Sequence, residues 1–263
     1  MDVLIVGAGS MGTWFGRAVD GCVTVTDVDP EAAREAADAV GATVADLEAE
    51  GSYDVVCLAV PMTHVTDAIE AHARRADRAV VDVSGIMEAP LEAMDAAVPD
   101  RERLSLHPLF APERAPGTIA VVRDRSGPAT DAILETLEER GNELLETTPS
   151  EHDEAMETVQ AATHAAVLSF ALAVEPAPEG FETPIYEQLE DVLEQLTAGT
   201  PRVYADIQGA FDGADAVADA AAEIADAEPA AVESLYQEAA KRWQSDERAD
   251  ETDSTPDRPG DAE

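Results

Sequence analysis

The 263-residue chain carries 56 acidic against 16 basic residues, a formal net charge of −40, with Lys241 its single lysine. Such a charge excludes a nucleic-acid partner, whose phosphates it would repel, while an apolar share of 45% excludes a disordered polyanion. A folded chain that repels itself this strongly needs concentrated salt, where the Debye length falls to about 3 Å at 1 M, so a salt-requiring protein of a halophile is expected. No apolar run approaches the ~20 residues of a membrane span, and the N-terminus lacks the basic segment of a secretion signal. A cytoplasmic protein without a membrane partner is the reading. Cys22 and Cys57 fall in expected strands with no metal-ligand spacing, and read as buried free thiols.

The first dozen residues are the most informative. Val3–Val6 is a short apolar run, read as a strand buried on both faces. It feeds into Gly7-x-Gly9-x-x-Gly12, with Ser10 and Met11 in the variable positions, and then a helix to Val19. Strand, glycine turn and helix together mark a dinucleotide-binding loop: Gly7 permits the tight turn, Gly9 lets amides approach a pyrophosphate, and Gly12 lets the helix pack closely. The helix N-terminus supplies unpaired N–H groups for the phosphates. Cys22–Thr26 is the next strand and ends at Asp27. A carboxylate there accepts hydrogen bonds from ribose hydroxyls and repels a 2′-phosphate, so NAD is expected over NADP.

Further along, helices are expected over 30–39, 65–75, 87–97 and 129–140. Strands are expected over 42–45, 54–60, 79–83, 104–106, 118–122 and 143–146. Alternating elements with nearly all-apolar strands predict a doubly wound, mostly parallel Rossmann-type sheet over residues 1–149. Past Pro149 every segment reads helical: 151–175, 184–198, 201–211, 213–226 and 229–243. Ser150 is expected as the first N-cap, with Asp153 three residues on. Residues 150–245 are thus an all-helical C-terminal domain, whose Ala-rich helices pack as a bundle of the kind that often forms dimer interfaces. Residues 246–263, rich in Asp, Glu, Ser and Pro, read as a disordered acidic tail.

Ligands of open α/β sheets bind beyond the carboxyl ends of the strands. Val60 and Pro61 end one strand and should border the cofactor. Asp82-Val-Ser84-Gly85 ends the next, and His107-Pro108 the one after. His107 is therefore placed beside the nicotinamide, where its imidazole can accept a hydroxyl proton as hydride leaves the same carbon. Gln160 and His164 are four apart and share a helix face; they line a substrate pocket or, equally on periodicity, form a structural contact between domains. His152 reads as structural or solvated. No metal-ligand set is present in the sequence pattern.

The chain resembles the prephenate/arogenate dehydrogenase family over residues 1 to about 210. The resemblance is carried by Gly7-x-Gly9-x-x-Gly12, Ala59-Val-Pro61, Asp82 through Leu91 and His107-Pro-Leu-Phe-Ala-Pro112. Beyond these it is carried by Glu151-His-Asp, Gln160-Ala161, His164, Pro184-Ile-Tyr186 and Tyr204-Ala-Asp-Ile207. It implies NAD-dependent oxidative decarboxylation of prephenate to 4-hydroxyphenylpyruvate in tyrosine biosynthesis. His107 then takes the C4-hydroxyl proton, with Ser84, Gln160 and His164 binding substrate, and the helical domain, 150–245, serves substrate binding and dimerisation, giving a homodimer. Gly85 and Met87 stand where the family carries Ser and Lys, and Gln195 where it carries an arginine for the ring carboxylate. Arogenate is the alternative substrate. A degenerate NAD-binding regulatory protein is the non-enzymatic alternative, and a neighbouring dehydrogenase acting on an imine or a β-hydroxy acid is a third.

Overall fold

The computed structural model describes residues 1–178 and 180–250, the side chains of 244–250 excepted. Eight strands form one sheet: β1 (Asp2–Val6), β2 (Cys22–Thr26), β3 (Thr43–Val44), β4 (Tyr53–Leu58), β5 (Ala76–Asp82), β6 (Glu102–Pro108), β7 (Thr118–Arg125) and β8 (Glu143–Glu146). Their order is β3-β2-β1-β4-β5-β6-β7-β8, and every pairing is parallel except β6 with β7. Chain order reverses between β1 and β4. That switch point opens a crevice at the carboxyl ends of the strands.

Helices α1 (Ser10–Ala18), α2 (Pro30–Val40), α3 (Val65–His72), α4 (Glu88–Ala97) and α5 (Pro128–Glu139) connect these strands. Successive residues of β1 serve opposite faces, as period-two geometry requires. Val3 and Ile5 pack with Trp14 and Phe15 of α1 and with Ile133, Leu134 and Leu137 of α5. Leu4 and Val6 pack with Val65 and Ile69 of α3 and with Leu91 and Met94 of α4. Burial on both faces explains why these strands read as continuous apolar runs.

The remaining helices are α6 (Pro149–Met156), α7 (Thr163–Ala173), α8 (Pro184–Thr197), α9 (Pro201–Ala210), α10 (Gly213–Asp226) and α11 (Pro229–Asp250). Residues Met1–Ala214 form one compact unit that holds the sheet and α1–α9, and the chain from Asp215 forms a second. The expected change from strands to helices falls at Pro149, the first residue of α6.

Four local expectations are corrected. Thr148, not Ser150, caps α6: its hydroxyl accepts from the Glu151 amide, and the Glu151 carboxylate accepts from the Thr148 amide at 3.2 Å. Pro149 decides this, because a residue without an N–H fits the first helical position and sets the cap at Thr148, two places before Ser150. The stretch 151–175 is not one regular helix, since Glu157–Ala162 forms a π turn between α6 and α7. Cys22 is exposed whereas Cys57 is buried, because β2 meets solvent where it enters the sheet. Helix α11 continues past Trp243 to Asp250; the rest of the expected tail, 251–263, lies outside the described residues.

Candidate active site

Three chain segments meet at the switch point. Gly7 has φ +109°, and a Cβ there would collide with the carbonyl of Ala59 at the end of β4. Only glycine fits this conformation and this approach. A Cβ on Gly12 would likewise collide with the Gly7 carbonyl, so the turn and α1 close directly on each other. Gly9, by contrast, faces open space. It precedes α1 as an N-cap with no side-chain hydrogen bond, which leaves the first-turn amides free for an anion. Ser10 is exposed there, while Met11 turns partly into the core beside α1. Val60 lies against the glycine turn, and Pro61 leads into a 3₁₀ turn, Met62–His64.

Asp27, at the end of β2, accepts the Ala8 amide at 2.7 Å and the Asp29 amide at 2.8 Å, one on each oxygen. Its carboxylate is thereby fixed, with lone pairs left over for a diol. A free phosphate-facing helix end, a bare Gly9 and an oriented carboxylate together fit a dinucleotide.

Strand register carries the next group into place. Leu58 pairs with Asp82 and Asp82 with Ser105, so His107 stands two residues further along at the sheet's carboxyl edge. His107 is 9% exposed. Its Nδ1 lies 2.9 Å from His152 Nε2, and His152 Nδ1 lies 2.7 Å from Asp153 Oδ1. The carboxylate accepts, so a neutral His152 carries its proton on Nδ1 and presents a lone pair at Nε2. His107 must then carry its proton on Nδ1, leaving the Nε2 lone pair for the site. That nitrogen faces Gln160 Nε2 at 3.4 Å, and a Cβ on Gly85 would stand 3.6 Å from it. Burial, then the neighbouring His152, pushes the His107 pKa down to about 3, against the opposing pull of Asp153. The ring is neutral at working pH.

Asp153 has a second task. Its two oxygens accept the amides of Met87 at 3.0 Å and Glu88 at 3.1 Å, capping α4. Burial alone would raise its pKa, but the bonds from His152, Glu88 and Met87 hold it below the usual carboxylate range. Ser84 donates its hydroxyl to Asp82 Oδ2 at 2.6 Å, and its amide points to the same oxygen at 3.1 Å. Ser84 therefore anchors the turn that carries Gly85. Burial raises the Asp82 pKa to about 6, offset in part by these bonds.

Gln160 is brought to His107, its Oε1 making no hydrogen bond among the described residues. His164 instead meets Tyr204 of α9 edge to face, ring centroids 4.9 Å apart and planes at 71°, with its buried Nδ1 likewise unbonded among the described residues. Burial lowers its pKa. His152, expected to be structural or solvated, is buried at 3% exposure and is the link that orients His107. The adjacency of His152 and Asp153 was the available signal; only the fold shows that His107 lies opposite them. Among the described residues no cluster could hold a metal ion.

Comparison with known proteins agrees with this architecture. The family model described as prephenate dehydrogenase, nucleotide-binding domain, matches residues 16–126, which lie beyond the glycine turn. The 4-amino-4-deoxyprephenate dehydrogenase of Streptomyces pristinaespiralis is 32% identical over 235 residues, covering 81% of this chain and 78% of that protein. The chain belongs to the prephenate dehydrogenase family. A Methanocaldococcus jannaschii family member, named "Probable arogenate/prephenate dehydrogenase", is 26% identical over 78% of this chain and 50% of its own length. The fold is that of the A. aeolicus prephenate dehydrogenase crystallised with hydroxyphenyl propionate and NAD+: TM-score 0.66 at 17% identity, over 93% of this chain and 98% of that one. Within this prephenate dehydrogenase family member, Gly85 lies against His107, and the buried Met87 gives its amide to Asp153.

Proposed function

We propose that this protein is an NAD-dependent prephenate dehydrogenase, converting prephenate to 4-hydroxyphenylpyruvate with loss of CO₂. The observation that carries the reading is the Asp153–His152–His107 chain, which leaves His107 Nε2 for the site at the carboxyl edge of the sheet. NAD, when bound, supplies the acceptor for the C4 hydride. Gly9 and the open end of α1 receive its pyrophosphate, and Asp27 its ribose hydroxyls. His107 Nε2 accepts the proton of the C4 hydroxyl, the coupling that makes C4 a hydride donor. Gln160 Oε1 and His164 Nδ1 are buried polar atoms without a hydrogen bond among the described residues, and with Ser84 they are the residues assigned to substrate.

Arogenate differs from prephenate only in the side chain remote from C4, and the name of the M. jannaschii relative joins both. It is the second substrate to test. The assay is reduced-nicotinamide absorbance in molar KCl with each substrate, for wild type and His107→Asn. Turnover that disappears in the variant supports the reading. NAD binding without turnover of either substrate would leave a regulatory protein instead.

The wider reading follows from the same site. Residues 1–149 bind nucleotide, 150–245 form the substrate and dimerisation region, and the partner is a second copy of the chain. Exposed Leu172, Phe181 and Ile185 on and beside α7 and α8 support a covered face there. No helix among the described residues is long and apolar enough to cross a membrane. A cytoplasmic location is part of the same proposal. The −40 charge supports a halophilic one.

A further inference from the structure

The π turn Glu157–Ala162 is the one irregularity in the α6–α7 run, and it carries Gln160. A wide turn frees backbone groups that need other partners, and such turns persist only where the surroundings hold them open. Three groups do so here. The Thr163 hydroxyl donates to the Thr158 carbonyl at 2.9 Å. Gln208, on α9, donates its side-chain amide to the Ala161 carbonyl at 2.9 Å. Gly213 lies so close that a Cβ would collide with the Glu157 carbonyl and press on the Ala162 nitrogen. Ala161 itself is fully buried, packed with Met156, Ile207 and Phe211.

We propose that Gln208 is a positioning residue for the base: by holding the Ala161 carbonyl it keeps the π turn open, and the open turn sets Gln160 against His107. Relaxation to an α-helix would remove one residue from the turn and swing what it carries by about 100° around the axis. Gln160 would then leave the Nε2 lone pair. Gln208 touches neither substrate nor cofactor in this scheme and acts only through Gln160. The inference rests on His107 as the base in the function proposed above.

The test compares Gln208→Leu, the isosteric non-donor Gln208→Glu, Gln160→Met and the Gln160→Met/Gln208→Leu double variant in full-length protein. Each Gln208 variant is expected to lose about tenfold in kcat/KM, mostly in kcat, with the KM for NAD unchanged. In the double variant the second change costs no more than about twofold beyond Gln160→Met, because both act through one contact. Imidazole NMR reads the same coupling without substrate: the His107 resonances, assigned by their loss in His107→Asn, move in Gln208→Leu in the direction seen in Gln160→Met. Additive losses with unmoved His107 resonances overturn the proposal. Failure of both Gln208 variants to fold also overturns it, since Gln208 would then serve the scaffold alone. If wild type turns over neither substrate while the His107 resonances still follow both glutamines, the positioning stands and the proposed function falls.

Discussion

Asp153 accepts the Met87 amide at 3.0 Å across 66 residues of sequence, with the same Oδ1 that accepts the His152 ring proton at 2.7 Å. One oxygen atom thus fixes both the start of α4 and the tautomer of the histidine that orients His107. Structural and chemical roles meet in a single carboxylate.

Asp153→Asn separates them. An amide can donate to His152 Nδ1, which moves the His152 proton to Nε2 and reverses the tautomer of His107. The Nε2 lone pair is then lost from the site. A fall in kcat of about 10²- to 10⁴-fold is expected from the wrong tautomer, against about 0.5–2 kcal/mol of stability from the weakened cap. Steady-state rates and urea unfolding of the same preparation check the two separately; a change in stability without loss of kcat would refute the tautomer argument.

The two buried titrating groups oppose each other in acid. His107 has a folded pKa of about 3, lowered chiefly by burial, against about 6.5 unfolded. In that window the unfolded chain binds the extra proton, so its contribution is complete above about 6.5 and is lost as pH falls toward 3. Asp82 has a folded pKa of about 6, raised by burial, against about 3.9 unfolded. Here the folded chain binds the extra proton, so stability falls as pH rises from about 4 to 6. Asp82→Asn should therefore steepen the gain in stability between pH 4 and 6 and add about 2–3 kcal/mol at pH 7. His107→Asn should flatten or reverse that slope. Urea midpoints at pH 4, 5, 6 and 7 in molar KCl provide the measurement.

The glycines of the dinucleotide turn should divide by mechanism. Gly7→Ala imposes a Cβ at φ +109° against the Ala59 carbonyl, and is expected to cost about 1–3 kcal/mol of stability. Gly9→Ala meets open space; its melting temperature should stay near wild type while NAD affinity falls at least tenfold. Thermal melts and NAD fluorescence titration distinguish the pair. An equal loss of stability in both would contradict the geometry.

Much of this was legible before the fold was known. Val3–Val6, Gly7, Asp27 and Asp82 stand where periodicity and turn chemistry place them, because each is fixed by local backbone rules or by burial on both sheet faces. Two things were not legible. The antiparallel β6–β7 pairing leaves no trace in apolar strands, since the pattern records burial and not direction. The π turn is equally hidden: its distant supports, the Gln208 amide and the close-packed Gly213, lie about fifty residues away, so the spacing of Gln160 and His164 reads as regular helix. The orienting role of His152 is hidden for the same reason, its partner His107 being 45 residues distant.

Salt dependence is the broadest expectation. With a formal charge of −40, far-UV circular dichroism should report progressive loss of structure as KCl falls from molar to tens of millimolar, where screening extends to about 10 Å or more. Undiminished structure in dilute buffer would remove the halophilic reading.

The unequal placement of the two cysteines provides a chemical clock. Cys22 is exposed, whereas Cys57 is buried in β4 with its thiol pKa raised by burial and then by Asp82. A maleimide should therefore attach once per native chain, at the end of β2 remote from Asp27, and reach the second sulfur only when the central sheet opens. The lag between first and second adducts, read by mass spectrometry, times the opening of the sheet beneath the catalytic crevice without any substrate being known.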